Sequence, residues 1–302
     1  MKNINLLEQK PMMEAYLNLG PRPLSSFSFT SLFAWGDYFD FEFNLIDDCL
    51  CIFANGATGI FLYLPPLGKN LNPGIIGKVF EKMRQGKLLK AVNRIENIPE
   101  NLLSVFDGDQ YNQYTKPEEY VYRKEDLIAL RGNAYKSQRH DCNHFSTHQA
   151  GYFFAPYSDD DLKSCLELYT QWATQRAATH SDDVYCAMLE ENHLVHERLL
   201  THWKRLDLIV RVLKVKGQLI GYTFGFALDE STFCIYAEIV DLEIQGTAAF
   251  LFKSFCADRQ LLPFKRINTM DDFAMPQVAR SKQAYHPSEM IASYTISSKG
   301  NS

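Results

Sequence analysis

The chain has 302 residues, 46% hydrophobic and 22% charged, and carries a net charge of −5. That length suits two compact units with ample core for each, and the negative balance excludes a surface built throughout for nucleic acid, so DNA is not an expected partner. The seven cysteines are scattered, apart from Cys49 and Cys51, with neither CxxC nor disulfide-framework spacing. They read as reduced thiols in a cytoplasmic setting. The first twenty residues lack a cationic start with a long apolar core, and no apolar run approaches the ~20 residues that span a bilayer. Neither a secretory leader nor a transmembrane segment is expected.

Residues 1–24, with Pro11, Pro21 and Pro23, read as irregular. Tyr38, Phe39, Phe41 and Phe43 partly alternate with Asp40, Glu42 and Asn44, the period of a half-buried strand. Asp47-Asp48 marks a turn, residues 49–53 a second strand, Asn55-Gly56 a hairpin and residues 59–64 a third strand. Pro73 opens a helix that places Ile76, Val79, Phe80 and Met83 on one face and closes at Gly86. A second αβ step follows over residues 88–105.

Residues 135–145 have helical periodicity. At 100° per residue, Lys136, Arg139, His140 and Asn143 share one face, whose chemistry suits a phosphate or carboxylate. A solvated helix face is the alternative. His140, His144 and His148 lie at i, i+4 and i+8, with no acidic partner at a fixed spacing, so no metal site is expected.

Residues 151–156 look like a strand opening a second unit, which places the boundary at 148 and the two units at 1–148 and 149–302. Ser158, followed by three aspartates, has the character of a helix N-cap. Leu162, Cys165, Leu166, Tyr169, Trp172 and Ala173 form the buried stripe of that helix, and a second helix runs over 183–203. His193 and His196 on it read as structural or solvated. Three strands follow at 208–215, 218–227 and 232–240, the last ending near Glu238 and Asp241. Gly246-Thr247 then begins a helix reaching about residue 259.

The closing stretch combines an apolar run over 261–267, read as a strand, with Asn268, Asp271 and Asp272 at its end. Pro276 fits the first turn of a helix carrying Arg280 and Lys282, and Pro287 stops it. Polar groups at the C-terminal end of a strand are where open α/β folds place ligands.

Several of these motifs resemble the DUF2156 family. They are Asn268, Asp272, Pro276, Lys282 and Tyr285-His286-Pro287, with Ser28 to Trp35, Leu64 to Gly68, Tyr122 to Phe145, and Glu238 to Gly246. The family is similar to the catalytic C-terminal domain of phosphatidylglycerol lysyltransferases, which are of bacterial type. The resemblance runs in order along nearly the whole chain. It implies an α+β fold of two tandem GNAT-like units, with mixed, mostly antiparallel sheets flanked by helices, meeting across a shared cleft. It also implies that the N-terminus of the Gly246 helix receives a cosubstrate, with Gly246 and Thr247 as binding residues. Four positions depart from the pattern. Met270 replaces an acid, Ala274 and Gln277 replace glycines, and Ala279 replaces a basic residue. Glu243 stands where an acyl-CoA loop carries Gln or Arg, which favours a different donor, such as an aminoacyl-tRNA.

Acyl transfer to an amine or hydroxyl requires a base, a polarised carbonyl and an acid for the leaving group. Glu238 or Asp241 is the candidate base and Tyr285 the candidate acid. Lys136, Arg139, Asn143, Asn268, Asp272 and Lys282 are the candidate substrate-binding residues. The expected function is acyl or aminoacyl transfer to a small-molecule or lipid head-group acceptor, with acyl-CoA or charged tRNA as donor. The other reading is a GNAT-like module that binds an anionic ligand without turnover. No serine-hydrolase elbow, P-loop or dinucleotide fingerprint occurs.

Overall fold

A computed structural model describes residues 5–56, 59–85, 93–178 and 183–299. Helices α1 (Leu6–Leu17) and α2 (Phe29–Ala34) come first. The first was not legible. It contains Pro11, which costs a backbone hydrogen bond, yet burial of Leu6, Leu7, Met13 and Leu17 holds the helix together. The aromatic tract then forms β1 (Asp40–Ile46), which pairs antiparallel with β2 (Cys49–Gly56). Asp47 and Asp48 turn between them at φ 47° and 62°. β2 pairs with β3 (Gly59–Leu62), and α3 (Pro73–Arg84) buries Ile75, Ile76, Val79, Phe80 and Met83. β4 (Arg94–Pro99) and β5 (Tyr111–Thr115) follow. The expected helix stop at Gly86 and the start of the 88–105 step lie outside the described residues.

The chain continues through β6 (Glu119–Arg123), α4 (Lys124–Ala129), α5 (Lys136–His148) and β7 (Tyr152–Pro156). Next come α6 (Leu162–Ala178), α7 (Asp183–Thr201), β8 (Ile209–Val215), β9 (Gln218–Ala227) and β10 (Thr232–Val240). α8 (Thr247–Cys256), β11 (Arg266–Asn268), α9 (Pro276–Gln283), β12 (Glu289–Ile291) and β13 (Ser293–Ser298) complete the chain. The three successive strands and the helix after them match the sequence reading within two or three residues. The apolar run before Asn268 does not. Only residues 266–268 are strand, while Leu261 ends a short 3₁₀ turn and Leu262 is 71% exposed.

Two sheets result, with strand orders β1-β2-β3-β4-β13-β5 and β12-β6-β11-β10-β9-β8-β7. Each contains the same device. An antiparallel run of three strands leads into a helix, and the helix leads into a strand parallel to the third. In the first sheet β3 is parallel to β4 across α3, and in the second β10 is parallel to β11 across α8. This is the duplication that no repeat in the sequence displayed.

The contacts divide the chain into a unit of residues 1–119, 271–274 and 290–302 and a unit of residues 120–270 and 275–289. Residues 120–148 therefore pack with the second unit rather than the first, chiefly because α5 lies along α8. The first core gathers Phe53, Leu62, Ile76, Phe80, Ile95 and Ile296. In the second unit one cluster joins Tyr122, Phe233, Ile235, Phe255 and Ile267, and another joins Phe145, Leu213, Val240 and Leu251.

The polar motifs near the N-terminus are structural. Ser28 caps α2 by accepting the Ser31 N–H at 3.1 Å, and Ser31 donates to the Ser25 carbonyl at 2.7 Å. Buried Glu119 accepts the Ser25 N–H and, at 2.6 Å, its hydroxyl. Gly68 is needed because a Cβ there would lie 2.5 Å from the Cys49 sulfur.

Candidate functional site

β10 is paired with β11 only through Thr232, Phe233 and Cys234, because β11 ends at Asn268. Beyond that point β10 continues alone on that side to Val240. The register against β9 shifts between Ile235 and Ala237, leaving Tyr236 as a bulge. The bulge decides which way Glu238 points. Before it, the odd residues Phe233 and Ile235 face Phe255 and Cys256 of α8. After it, Val240 faces Leu251 of the same helix. Simple alternation would have put Glu238 on the opposite face; the extra residue returns it to the α8 side. Thr223 donates its hydroxyl to the Ala237 carbonyl at 2.9 Å and fixes the distorted segment.

The Glu238 carboxyl is therefore held in a low-polarity setting. Its Oε2 is buried and has no hydrogen-bond partner in the protein. Burial pushes its pKa up to about 8. Three other titratable side chains feel its charge. Tyr285 is raised well above the ordinary phenol range by burial, then by Glu238. Cys142 is raised to about 11 and Cys256 further, in each case chiefly by burial. The site thus joins β10, α5, α8 and the end of α9 around a carboxyl and a neutral phenol. Asp241, the other candidate base, follows the strand and accepts the Glu243 N–H at 2.9 Å.

Most of the remaining candidates bond or pack within the protein. Gly246 adopts φ 84°, and a Cβ on it would lie 2.2 Å from the Asp141 carbonyl of α5. Its absent side chain is filled by protein, so close helix packing accounts for the glycine. Thr247 is 1% exposed and donates its hydroxyl to Ile244 O at 2.7 Å. Arg139 donates Nη1 to the carbonyls of Leu130 and Gly132, the latter at 2.6 Å, and so braces the turn after α4. Lys136 and Asn143 are exposed on α5. Asn268 is fully buried and accepts the Met270 N–H at 2.6 Å. Lys282 gives its ammonium to the carbonyls of Thr269 and Met270, at 2.6 and 3.2 Å. Asp272 accepts the Ala274 N–H at 2.9 Å. Asn268, Asp271 and Asp272 thus form successive side-chain turns that support Met270, Phe273 and Ala274 at φ of 54–62°. A glycine would fit the Ala274 position without strain, which explains the residue expected there.

Among the described residues no group of three or more His, Cys, Asp or Glu is arranged to hold a metal ion. His144 and His148 instead stack at 4.1 Å. His196 is buried against the Tyr222 hydroxyl at 2.7 Å, and burial lowers its pKa to about 3, so it is a neutral core residue.

The splayed parallel pair, repeated in two sheets, defines two GNAT-like units in tandem. The chain belongs to the family described as phosphatidylglycerol lysyltransferase, C-terminal, whose model matches residues 18–297. A conserved protein of unknown function from Bacteroides thetaiotaomicron is 21% identical, with a TM-score of 0.84 and 99% of each chain covered. L-PGS from Bacillus licheniformis is 16% identical, with a TM-score of 0.68 over 97% of this chain and 92% of that one. The C-terminal domain (DUF2156) of a putative lysylphosphatidylglycerol synthetase from Agrobacterium fabrum is 12% identical, with a TM-score of 0.66 over 99% and 93%. Among curated proteins none matches. No helix among the described residues is long and apolar enough to cross a membrane.

Proposed function

We propose that this protein transfers an acyl or aminoacyl group to an amine or hydroxyl acceptor. The observation that carries the reading is the buried Glu238 Oε2, which has no hydrogen-bond partner and whose charge reaches Tyr285, at the part of β10 that no strand pairs. A carboxyl with a pKa of about 8 is a competent base at mildly alkaline pH. As the acceptor nitrogen or oxygen attacks the acyl carbonyl, Glu238 takes its proton. Tyr285, neutral across this range, gives its phenolic proton to the departing oxygen or sulfur. The proton on Glu238 then restores the phenol. Asp241 is the weaker candidate for base because its carboxylate already serves a backbone N–H.

Membership of the phosphatidylglycerol lysyltransferase family supports an aminoacyl donor and a lipid head-group acceptor, with lysyl and phosphatidylglycerol as the first pair to try. The non-catalytic anion-binding reading loses support, since Arg139 and Lys282 both spend donors on backbone carbonyls. The test supplies acetyl-CoA or lysyl-tRNA with amine or phosphatidylglycerol acceptors and follows product formation. Turnover is expected to rise with pH to about 8, and Glu238→Gln and Tyr285→Phe are each expected to lower it by roughly 10²–10⁴-fold. Full turnover in both variants, or a flat pH profile, would remove these residues from the reaction.

A further inference from the structure

α9 has eight residues, none of them buried. No apolar face anchors it, and the last carbonyls of any helix lack intrahelical donors. Here side chains from elsewhere in the same unit supply them. Tyr122 donates its hydroxyl to Lys282 O at 2.9 Å, Gln138 donates Nε2 to Ala284 O at 2.8 Å, and Tyr135 donates its hydroxyl to Tyr285 O at 3.1 Å. Two of the three donors, Tyr135 at the N-cap of α5 and Gln138 in its first turn, are at least nine-tenths buried, Gln138 at 8% and Tyr135 at 9% exposure. The Tyr135 ring also meets His286 edge-on at 5.1 Å, and Phe252 of α8 meets the Tyr285 ring at 4.8 Å.

We propose that Tyr135 and Gln138 are positioning residues that fix the placement of the Tyr285 phenol, within reach of the Glu238 charge, through the backbone carbonyls of residues 284 and 285. The inference rests on the reaction proposed above. It adds that the geometry of the acid is set by α5 and not by α9 itself. Tyr135 and Gln138 act on the main chain, one residue or none from the phenol's own Cα. Their loss frees the ring to move out of reach of that charge while the sheet stays intact.

The experiment uses the full chain labelled with fluorotyrosine, the Tyr285 resonance being identified by its loss in Tyr285→Phe. Tyr135→Phe removes one hydroxyl and keeps the ring; Gln138→Leu removes the amide. Each is expected to move the Tyr285 resonance toward that of an exposed tyrosine. With lysyl-tRNA or acetyl-CoA as donor, each is expected to lower kcat by about 10- to 100-fold, with KM nearly unchanged. In a Tyr285→Phe background neither is expected to lower kcat further. An unmoved resonance in both variants overturns the proposal, as do kcat losses that multiply with that of Tyr285→Phe. Failure of the reaction reading looks different: Tyr285→Phe alone then keeps full turnover, while the resonance still reports whether α5 holds the ring.

Discussion

The two units carry the same strand–helix–strand device, and they finish it differently. In the first, α3 begins with Asn72, whose side chain accepts the N–H groups of Gly74 and Ile75, and with Pro73 in its first turn. In the second, α8 begins with Gly246, which caps nothing with a side chain. The carboxylates differ in the same sense. Glu96, on β4 of the first unit, bonds Arg94 at 2.5 Å, Thr295 at 2.8 Å and Lys116 at 3.2 Å. Burial alone would raise its pKa, but those partners overcome it and hold the group below the usual carboxylate value. Glu238 has burial and no partner, and goes the other way. A fold that needs only stability satisfies its buried polar groups. In the second unit the Glu238 Oε2 is left unsatisfied where no strand pairs with β10 beyond Cys234 on that side, and this is why the chemistry is proposed there.

The contrast is broken most severely at Gly246. Alanine there meets both the positive φ and the Asp141 carbonyl, so Gly246→Ala is expected to cost about 2–4 kcal/mol in denaturant unfolding. A loss under ~1 kcal/mol would mean that the α5–α8 contact yields easily. Glu238 sharpens it. Its folded-state pKa is raised, so its contribution to stability is fully present below the unfolded value near 4.5 and is lost as pH rises to about 8. Glu238→Gln should therefore melt with wild type at pH ~4 and exceed it by up to ~5 kcal/mol at pH ~9, the rise from 4.5 to about 8 being worth about 1.4 kcal/mol per pKa unit. Equal stability at both extremes would show that the carboxyl is not desolvated.

Glu96→Gln supplies the opposite sign. A depressed pKa contributes stability above the unfolded value and loses it as pH falls through the folded one. The variant should be less stable by about 1–2 kcal/mol at pH ~7, with the gap closing in acid. The smallest effect belongs to the capped helix, where Asn72→Ala is expected to cost ~1 kcal/mol by thermal melting. No change would make that cap dispensable and the contrast with Gly246 one of packing alone.

The amino-acid sequence by itself determined the elements whose cause is local. Partial alternation set β1, apolar runs between turn residues set β8 to β10, the 3.6-residue period set α3 and α5, and Pro276 and Pro287 bracketed α9. The family resemblance offered Tyr285 as the acid, and the sequence also offered Glu238 or Asp241, at a strand end, as the base. It could not reveal α1, whose proline is outweighed by burial of Leu17 and its neighbours, nor β13, which enters the first sheet from the far end of the chain between β4 and β5. Residue types alone also could not show that Arg139, Lys282, Asn268 and Thr247 each bond a backbone group, because a donor or acceptor carries no mark of whether a backbone partner will reach it. Tertiary structure alone decided that. It placed one extra residue, Tyr236, in β10 and so turned Glu238 toward α8. It also brought Cys142, Cys256 and Tyr285 within reach of that charge from positions 18 to 96 residues away. Periodicity is a property of neighbours along the chain, whereas desolvation and hydrogen-bond satisfaction are properties of neighbours in space.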